Sequence, residues 1–383
     1  MEKSIYNYSI DFDSETMKQF ENCYKEKFVT AAALMPDAHL GYVAPIGSVL
    51  ITKDYIVPAW VGFDIGCGVI AVKITSKEKD LLKKIKSRAK EILSQVQRDV
   101  PMGLGFTNKN HELSEKTHKK FNEIVKKLES EKHDKKILNF IKQSAPKHLG
   151  TLGAGNHFIS IGTDENLKEV WLIIHSGSRG IGHDIAREYM IKASNSRKQY
   201  EKTYPIKADS ELGKEYLNVL DFCLEYALLN RLEIAHRVIE SLKYVLKTPL
   251  KAELWVNKNH NHAIYEKGEF IHRKGATPAE RGERGVIPGN MRDGSYLVEG
   301  RGNPKFLNSS THGAGRALSR NQAKKIISMK EFREDTKNLV GEFSEKILDE
   351  SPRAYKSIKA VMEAQRESVK IIKHITPLIN WQK

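Results

Sequence analysis

Apolar residues recur at helical spacing in several long regions of the chain. In residues 76–100 they follow one another at intervals of three and four residues with lysines between them, which predicts a helix that ends at Pro101. Residues 211–246 carry the same pattern over a greater length and predict either one helix or two. Residues 107–147 are expected to be helical in part, and residues 321–375 return to a helical pattern.

Shorter runs, rich in β-branched residues and flanked by Gly, Pro or polar turns, predict strands. These runs occupy residues 49–52, 69–72, 168–175 and 254–256. Residues 1–75 are expected to form strands and tight turns, and the glycine-rich residues 270–318 to form strands and loops. Because strands and helices do not alternate regularly, the pattern favours an α+β fold over a doubly wound sheet. No Pro/Ser-rich linker divides the chain, so we expect a single complex domain over residues 1–383.

The net charge of the chain indicates which class of partner it binds. The chain has 63 Lys and Arg against 48 Asp and Glu, a formal net charge of +15, and a hydrophobic content of 40% excludes wholesale disorder. A strongly basic chain favours polyanions as partners, with nucleic acid first among them. The lysine-rich helical segment at about 76–147 is expected at the periphery of the catalytic cleft. The lysines of residues 107–147 form either a solvated face or a basic rim for a nucleic-acid backbone.

The cysteines and the apolar runs predict a cytoplasmic protein. No apolar run approaches the roughly 18 residues that span a bilayer, and the N-terminus lacks the apolar segment of a signal peptide. Cys23, Cys67 and Cys223 are odd in number and widely spaced, so a disulfide framework is not expected. Cys23 and Cys223 are expected to be small buried side chains. Cys67 differs because it stands in a glycine-rich turn with polar neighbours.

Histidine, cysteine and aspartate recur in glycine-rich turns along the chain. These turns occupy residues 35–39, 62–68, 151–157, 175–180, 259–262 and 309–316. Glycine lets a backbone approach a ligand closely, so polar side chains beside several glycines indicate one shared site. A carboxylate, a thiolate and several imidazoles suit Zn, Mn, Fe or Co rather than Ca or Mg. There are more than four candidate ligands, which leaves room for a two-metal site of the kind used in phosphoryl transfer.

Phosphate capture also has candidate residues in these turns. Arg179, Arg273 and Lys274 could bind phosphate, because a guanidinium or an ammonium pairs with its oxygens. Asp64 and Cys67, which are three residues apart, could reach one metal ion. Neither a P-loop nor a dinucleotide fingerprint is present. From the residues alone, a metal-dependent hydrolase acting on a phosphate ester is one hypothesis.

The order of the motifs resembles a known family, the RtcB-type RNA-splicing ligases. The similar segments lie at residues 35–39, 64–68, 153–157, 175–180, 273–276, 288–291, 312–316 and 354–365. The resemblance covers roughly residues 30–380. It implies a metal cleft surrounded by mixed or antiparallel sheets, with helices at the periphery. It also implies GTP- and Mn²⁺-dependent joining of an RNA 3′-phosphate or 2′,3′-cyclic phosphate end to a 5′-hydroxyl end, in tRNA splicing or RNA repair.

The resemblance further implies roles for individual residues. It places the ligands of two Mn²⁺ ions at Asp64, Cys67, His157, His175 and His260, with Cys67 bridging. It places the nucleophile that takes GMP from GTP at His312, an essential acid at Asp37, and groups for substrate phosphate at Arg179 and Lys274. The residues that it implies for guanylate binding are Asn156, Asn261, Pro288, Gly289, Asn290, Met291, Ser295, His312, Gly313, Ala314, Gly315 and Lys383.

Three departures from the family pattern keep alternatives open. Ser160 stands where the family commonly has a Glu on the guanine edge, and Lys383 is shifted by one from the family's terminal lysine. His262 remains an alternative to His260 as a ligand. The alternatives to a ligase are a guanylyltransferase that caps RNA 3′-phosphate ends without efficient joining, and a non-catalytic protein that binds RNA or nucleotide. Whether a protein activator takes part is also open.

Overall fold

The computed structural model describes residues 3–11, 13–78, 80–108 and 112–383. Its strands are β1 (Ser4–Asn7), β2 (Val29–His39), β3 (Ile46–Thr52), β4 (Tyr55–Ile56), β5 (Gly68–Thr75), β6 (Phe158–Asp164), β7 (Val170–Ser176), β8 (Ile206–Lys207), β9 (Lys251–Asn259), β10 (Asn261–Glu266), β11 (Glu269–Lys274), β12 (Ala276–Pro278), β13 (Arg284–Pro288), β14 (Ser295–Gly300), β15 (Ser309–Thr311) and β16 (Val369–Gln382). Its α-helices are α1 (Ser14–Tyr24), α2 (Pro58–Val61), α3 (Leu81–Ser87), α4 (Ala89–Asp99), α5 (Glu115–Ser130), α6 (Lys135–His148), α7 (Arg179–Ser194), α8 (Glu211–Leu246), α9 (Arg320–Ile326), α10 (Met329–Thr336) and α11 (Ile358–Ala364).

A seven-stranded antiparallel sheet forms the centre of the fold, in the order β13-β14-β16-β6-β7-β5-β9. Its central strands are apolar on both faces, as expected for a buried sheet. Ile70 and Leu172 pack in the core that holds α4 and the second half of α8. Val69 and Trp171, one position earlier, pack in a separate core on the other face, because successive side chains of a strand alternate.

A second sheet has five strands in the order β1-β2-β3-β11-β10, and it carries further candidate residues such as Asp37 and Lys274. β1 and β2 are parallel, and the remaining pairs are antiparallel. A register shift between Leu34 and His39 interrupts the pairing of β2 with β3. Bulges of this kind re-aim side chains next to functional sites, and Asp37 lies within this one.

The long helix α8 connects the two main apolar cores. Tyr216 and Leu220 in its first half pack in the core built on α1, α2 and α5 to α7. Val238 and Leu242 in its second half pack in the core beneath the seven-stranded sheet. The middle of α8 therefore passes directly behind the turns at the ends of the strands.

The prediction of an α+β fold with mixed and antiparallel sheets is confirmed. The four predicted strands overlap β3, β5, β7 and β9, and residues 107–147 contain α5 and α6. The described cysteines are buried free thiols, as expected. Within the described part of the chain, no helix combines the length and apolar character needed to cross a membrane.

Residues 211–246 form one helix of 36 residues, which decides between the two predicted alternatives. Three other details of the predicted elements were wrong. Residues 76–100 contain two helices that meet at Arg88, and residues 1–75 include the helices α1 and α2 among their strands. Residues 176–180 form only a short turn, because α7 already begins at Arg179.

The largest error concerns residues 321–375. Residues 369–375 belong to β16, which pairs with both β6 and β14 in the centre of the large sheet. Pairing with β6 and β14 determines the strand conformation of this segment, and the spacing of its apolar residues does not reveal that pairing. Residues 1, 2, 12, 79 and 109–111 fall within predicted segments but lie outside the described residues.

Candidate active site

The candidate metal ligands meet at one edge of the seven-stranded sheet. Cys67 directly precedes β5, His157 precedes β6, His175 lies near the end of β7, and His260 follows β9. The antiparallel register pairs Gly68 with both Ser176 and Asn259, and Phe158 with His175. The beginnings of β5 and β6 therefore lie beside the ends of β7 and β9, which brings together residues far apart in the sequence.

The donor atoms of these residues are in close contact. Cys67 Sγ lies 3.3 Å from His157 Nε2 and 3.2 Å from His175 Nε2. His175 Nε2 lies 3.3 Å from His260 Nε2, and Asp64 Oδ2 lies 3.0 Å from His157 Nε2. Cys67, His157 and His175 are buried and together form a group that could hold a metal ion. The structure thus brings together all five residues predicted as ligands.

Backbone contacts orient two histidines of the cluster. His157 Nδ1 lies 3.1 Å from the carbonyl oxygen of Leu152, and His175 Nδ1 lies 3.0 Å from that of Asn156. The Asn156 carbonyl accepts from Nδ1–H of His175, so Nε2 of that ring carries the lone pair that faces the cluster. Burial also lowers the pKa of His175 and His260 well below the usual histidine value. These two imidazoles are therefore neutral and suited to binding a metal.

The charges of the cluster also suit a cation. Burial and the neighbouring Asp64 raise the pKa of the Cys67 thiol well above its usual value. Burial would raise the pKa of Asp64 too, but the hydrogen bond and charge of His157 lower it to about 2. A metal ion would displace the thiol proton, and a thiolate, a carboxylate and three imidazoles are then a donor set typical of a borderline transition metal. The residues present therefore fit the metal centre that the motifs imply.

His312 lies between this cluster and a large cavity. It follows β15, its ring centroid is 4.9 Å from that of His260, and it lines the cavity. Its Nδ1 lies 2.6 Å from Oδ2 of Asp37, which is fully buried. The contact is close but does not have the geometry of a hydrogen bond in this structure. At Gly315, with φ of +73°, a Cβ would lie 2.2 Å from the carbonyl oxygen of Asp37, so only glycine fits there.

The cavity has a volume of about 700 Å³, which is within the range of small-molecule sites. Most of the residues expected to bind guanylate line it. These are Asn156, Pro288, Gly289, Asn290, Met291, Ser295, His312, Gly313, Ala314 and Gly315. Ser160 also lines the cavity, at the position where the resemblance leads one to expect a glutamate.

Two residues expected to bind guanylate make other contacts in this structure. The side chain of Asn261 donates to the carbonyl of Asp64 at 3.2 Å and accepts from the amide of Gly275 at 2.8 Å. It therefore connects two turns of the site. The ammonium of Lys383 pairs with Glu342, whereas the residue before it, Gln382, lines the cavity.

Of the two residues expected to bind substrate phosphate, Arg179 lies beside the metal cluster, whereas Lys274 directs its ammonium at the backbone of α2. Arg179 Nη1 is 3.1 Å from His157 Nδ1, and a Cβ on Gly153 would overlap the guanidinium. The backbone of Arg179 has φ of +60°, a conformation that costs a non-glycine residue about 1 kcal/mol. Lys274 is buried under the turn at Gly62, donates to the carbonyl of Ala59 at 3.3 Å, and has its pKa lowered by burial to about 8.

The structure distinguishes the two candidate histidines of the 259–262 turn. His260 contacts His175, whereas His262 lies opposite Arg273 in the pairing of β10 with β11. Burial and the charge of Arg273 lower the pKa of His262. The geometry therefore favours His260 as the ligand.

Arg231, in the middle of α8, is a residue of the site that the sequence analysis did not identify. It is fully buried, and its Nη1 donates to the carbonyls of Gly66 at 2.9 Å and Ser176 at 2.8 Å. Its Nη2 donates to the side chain of Asn259 at 2.7 Å, and its Nε to that of Asn257 at 2.7 Å. Gly66, Ser176 and Asn259 each adjoin a candidate ligand. The signal in the sequence was a pair of polar residues, 230 and 231, between the leucines of an otherwise apolar helix.

The fold and the cluster define the class: an α+β protein with a candidate transition-metal centre beside a nucleotide-sized cavity. Comparison with known proteins identifies the family. The family model described as tRNA-splicing ligase RtcB matches residues 19–383. The chain belongs to the RtcB family.

Curated relatives of the chain agree with this assignment. It is 34% identical to the RNA-splicing ligase RtcB1 of Escherichia coli over 388 residues, which cover 96% of this chain and 94% of the relative. It is 33% identical to the RNA-splicing ligase RtcB of Escherichia coli K12, with the same coverage. It is 31% identical to the tRNA-splicing ligase RtcB of Methanococcus maripaludis over 87% of this chain and 84% of the relative.

Proposed function

We propose that the protein is a GTP- and Mn²⁺-dependent RNA ligase that joins a 3′-phosphate or 2′,3′-cyclic phosphate end to a 5′-hydroxyl end. The observation that carries the proposal is the position of His312. Its ring contacts the metal cluster on one side and the nucleotide-sized cavity on another, and its Nδ1 lies against a buried carboxylate. Family membership supports RNA ligation as the overall reaction.

The chain's own residues would perform the first step as follows. With Nδ1 held by Asp37, the free nitrogen of His312 is Nε2, which attacks the α-phosphorus of GTP while pyrophosphate leaves. The ring then carries positive charge, which the Asp37 carboxylate stabilises as the aspartate of a catalytic triad stabilises its histidine. GMP passes next from His312 to an oxygen of the RNA 3′-phosphate, which frees the histidine; a 2′,3′-cyclic end would first be opened by water to the 3′-phosphate. The 5′-hydroxyl of the second end then attacks the 3′-phosphorus, loses its proton and releases GMP.

The cluster of Asp64, Cys67, His157, His175 and His260 would hold the metal. Bound Mn²⁺ would neutralise charge on the phosphate groups during transfer. Arg179 lies beside the cluster, where its charge suits bidentate contact with the phosphate of the RNA end. The buried Lys274 would turn its ammonium away from Ala59 to reach the same phosphate.

The decisive test is incubation with α-labelled GTP and Mn²⁺ without RNA, followed by a denaturing gel. We expect a labelled protein band that is labile in acid and stable in alkali, as a phosphoramidate is. The band should be missing in His312→Ala. No band with Mn²⁺, Zn²⁺ or Co²⁺ would overturn the proposal and revive a non-catalytic RNA-binding protein.

A second candidate is a guanylyltransferase that caps RNA 3′-phosphate ends without joining them. Ser160, which lines the cavity, favours it, because a serine hydroxyl presents fewer hydrogen-bond acceptors to the guanine edge than a carboxylate would. A gel of RNA with 3′-phosphate and 5′-hydroxyl ends separates the two: ligation gives joined or circular RNA, whereas capping alone gives RNA that ends in GMP.

A further inference from the structure

Three aromatic side chains form a group at the surface beside the metal cluster. Phe63 stacks on His183, with ring centroids 5.0 Å apart and an interplanar angle of 24°, and Tyr42 meets Phe63 edge-on at 5.4 Å. Tyr42 is 73% exposed, and the His183 side chain is 55% exposed. We call Tyr42, Phe63 and His183 the aromatic platform. Phe63, between them, is partly buried against the apolar core, so the two exposed rings rest on a fixed base.

Each member of the platform is connected to the candidate active site by a short stretch of chain. Phe63 directly precedes the candidate ligand Asp64. His183 lies one helical turn beyond Arg179 on α7, and Tyr42 lies three residues beyond His39, which lines the cavity. The platform is therefore positioned by the same turns that position the cluster.

The platform and the cavity approach the cluster from different sides. Among the described residues, those that line the cavity include His175 and His312 but none of the three aromatic residues. Asp64 does not line the cavity either, yet its side chain is 33% exposed. The Asp64 side chain is therefore partly accessible next to Phe63, although its Oδ1 is buried, and the cavity reaches the cluster at His175. A nucleotide in the cavity would leave the platform side free for a second substrate.

The charge around the platform suits a nucleic acid. Arg179, His183 and Arg187 follow one another at four-residue spacing, so they lie along one side of α7. Arg179 is beside the cluster, and Arg187 is exposed at the surface end of this row. Asp184, 3.5 Å from His183, is an acidic neighbour. Aromatic side chains with arginines nearby are the usual platform for single-stranded nucleic acid, because bases stack and phosphates pair.

We propose that the aromatic platform stacks the nucleobase at one end of a single-stranded RNA substrate, whose terminal phosphate or hydroxyl then lies at the cluster. This inference deepens the proposed ligase function and rests on it. Stacking discriminates poorly between bases, so the platform would accept RNA ends of different sequence. In this arrangement the RNA end binds on the Asp64 side of the cluster, and the guanylate binds in the cavity.

The test is equilibrium binding of a ten-nucleotide single-stranded RNA with a 3′-phosphate, a 5′-hydroxyl and an internal fluorophore, in Mn²⁺ without GTP. We expect Tyr42→Ala and His183→Ala to weaken binding about tenfold, the lower part of the range for loss of one stacked base. Tyr42→Phe should bind like the unaltered protein because it keeps the ring. The matched control is Tyr244→Ala, which removes a tyrosine of similar exposure (63%) from α8, about 20 Å along the helix from Arg231.

A second arm uses RNA whose terminal nucleotide is abasic, at the 3′ end in one oligonucleotide and at the 5′ end in another. One abasic RNA should bind more weakly to the unaltered protein, and Tyr42→Ala should add no further loss with that RNA. The position of the sensitive end identifies the strand that the platform holds. Equal binding of all variants and all RNAs, or no RNA binding by the unaltered protein, overturns the proposal.

The failure of the platform and the failure of the ligase proposal are distinguishable. Formation of the GMP adduct by the unaltered protein is measured without RNA, so it does not depend on the platform. An adduct with no effect of the variants on binding overturns the platform alone. Loss of binding in the variants, with no adduct, supports the platform and overturns the ligase chemistry. Thermal melting of each variant confirms that the surface substitutions leave the fold intact.

Discussion

Oδ2 of Asp37 lies 2.6 Å from Nδ1 of His312, and it also accepts from the backbone amide of His312 at 3.3 Å. The two residues come from different parts of the fold, because Asp37 belongs to the bulged end of β2 and His312 follows β15. The carboxylate is fully buried. A buried carboxylate on one ring nitrogen makes the other nitrogen the reactive one and stabilises positive charge on the ring.

Replacing the Asp37 carboxylate by an amide tests this relationship. We expect Asp37→Asn to slow formation of the GMP adduct by about a hundredfold or more, because the amide neither fixes the tautomer of His312 nor stabilises its charge. The measurement is a time course of label from α-labelled GTP with Mn²⁺ saturating. Metal content should stay close to that of the unaltered protein, since Asp37 contacts His312 and not the cluster. An adduct that forms at the unaltered rate would contradict the pairing.

The position of Cys67 predicts that one substitution reduces the whole metal content. Its sulfur contacts both His157 and His175, so a thiolate at this position can serve more than one ion. We expect Cys67→Ala to retain less than half of the bound Mn²⁺, measured by elemental analysis after gel filtration. The control is Cys23→Ala, which removes a buried thiol from α1, outside the cluster, and should leave the metal content unchanged. Equal metal content in both variants would remove Cys67 from the ligand set.

The sequence predicted the chemistry of the site better than its geometry. Motifs with His, Cys and Asp beside glycines indicated one shared site, and the resemblance to the RtcB family selected from them the five residues that the structure brings together. Asn261 carries no comparable signal of its orientation. Its amide can bind a ligand or connect two backbone turns equally well, and only the fold decides that it bonds to Asp64 and Gly275.

In the fold, too, an element that depends on neighbouring residues was predicted, and an element that depends on distant residues was not. The apolar spacing of α8 is a property of neighbouring residues, and the sequence predicted the helix from it. The strand β16 depends on pairing with β6 and β14, which are separated from it by long stretches of chain. The role of Arg231 likewise arises because α8 passes behind three turns that only the sheet brings together.

Arg231 predicts a measurable effect on the metal centre at a distance from the ligands. It fixes the backbone or side chain of residues that adjoin Cys67, His175 and His260. We expect Arg231→Met, which keeps volume but removes the donors, to lower Mn²⁺ affinity about 10- to 100-fold, as loss of a supporting contact in a metal site does. Competition with a chromogenic chelator measures this affinity. Arg231→Lys keeps one donor group, so its Mn²⁺ affinity should lie between that of Arg231→Met and that of the unaltered protein.

The control for Arg231 is a second buried arginine on the same helix. Arg237 pairs with Glu233 at 3.1 Å and contacts Asn108 at 2.9 Å. Arg237→Met is expected to lower the thermal stability while leaving the metal affinity unchanged. If both variants lost stability equally and neither changed the metal affinity, Arg231 would be a stabilising residue and not a positioning one.

The last prediction concerns the pH dependence of stability. His272 is buried with both ring nitrogens in use: Nε2 accepts from the amide of Val57 at 3.0 Å, and Nδ1 lies 3.3 Å from the carbonyl of Leu50. Burial lowers its pKa from 6.5 to about 4. Between these values the unfolded chain binds the proton that the folded protein excludes, so stability is present above pH 6.5 and is lost as the pH falls towards 4.

A shift of this size corresponds to about 3 kcal/mol over the full window. We expect the free energy of unfolding, measured by urea titration in the presence of a chelator, to fall less steeply between pH 7 and pH 5 in His272→Gln than in the unaltered protein. The variant will be less stable at pH 7, because it loses the contact with Val57, so the comparison rests on the slope and not on the absolute value. His39, whose pKa burial also lowers to about 4, remains in both proteins and contributes equally to both slopes. Identical slopes would show that His272 is not excluded from protonation in the folded state.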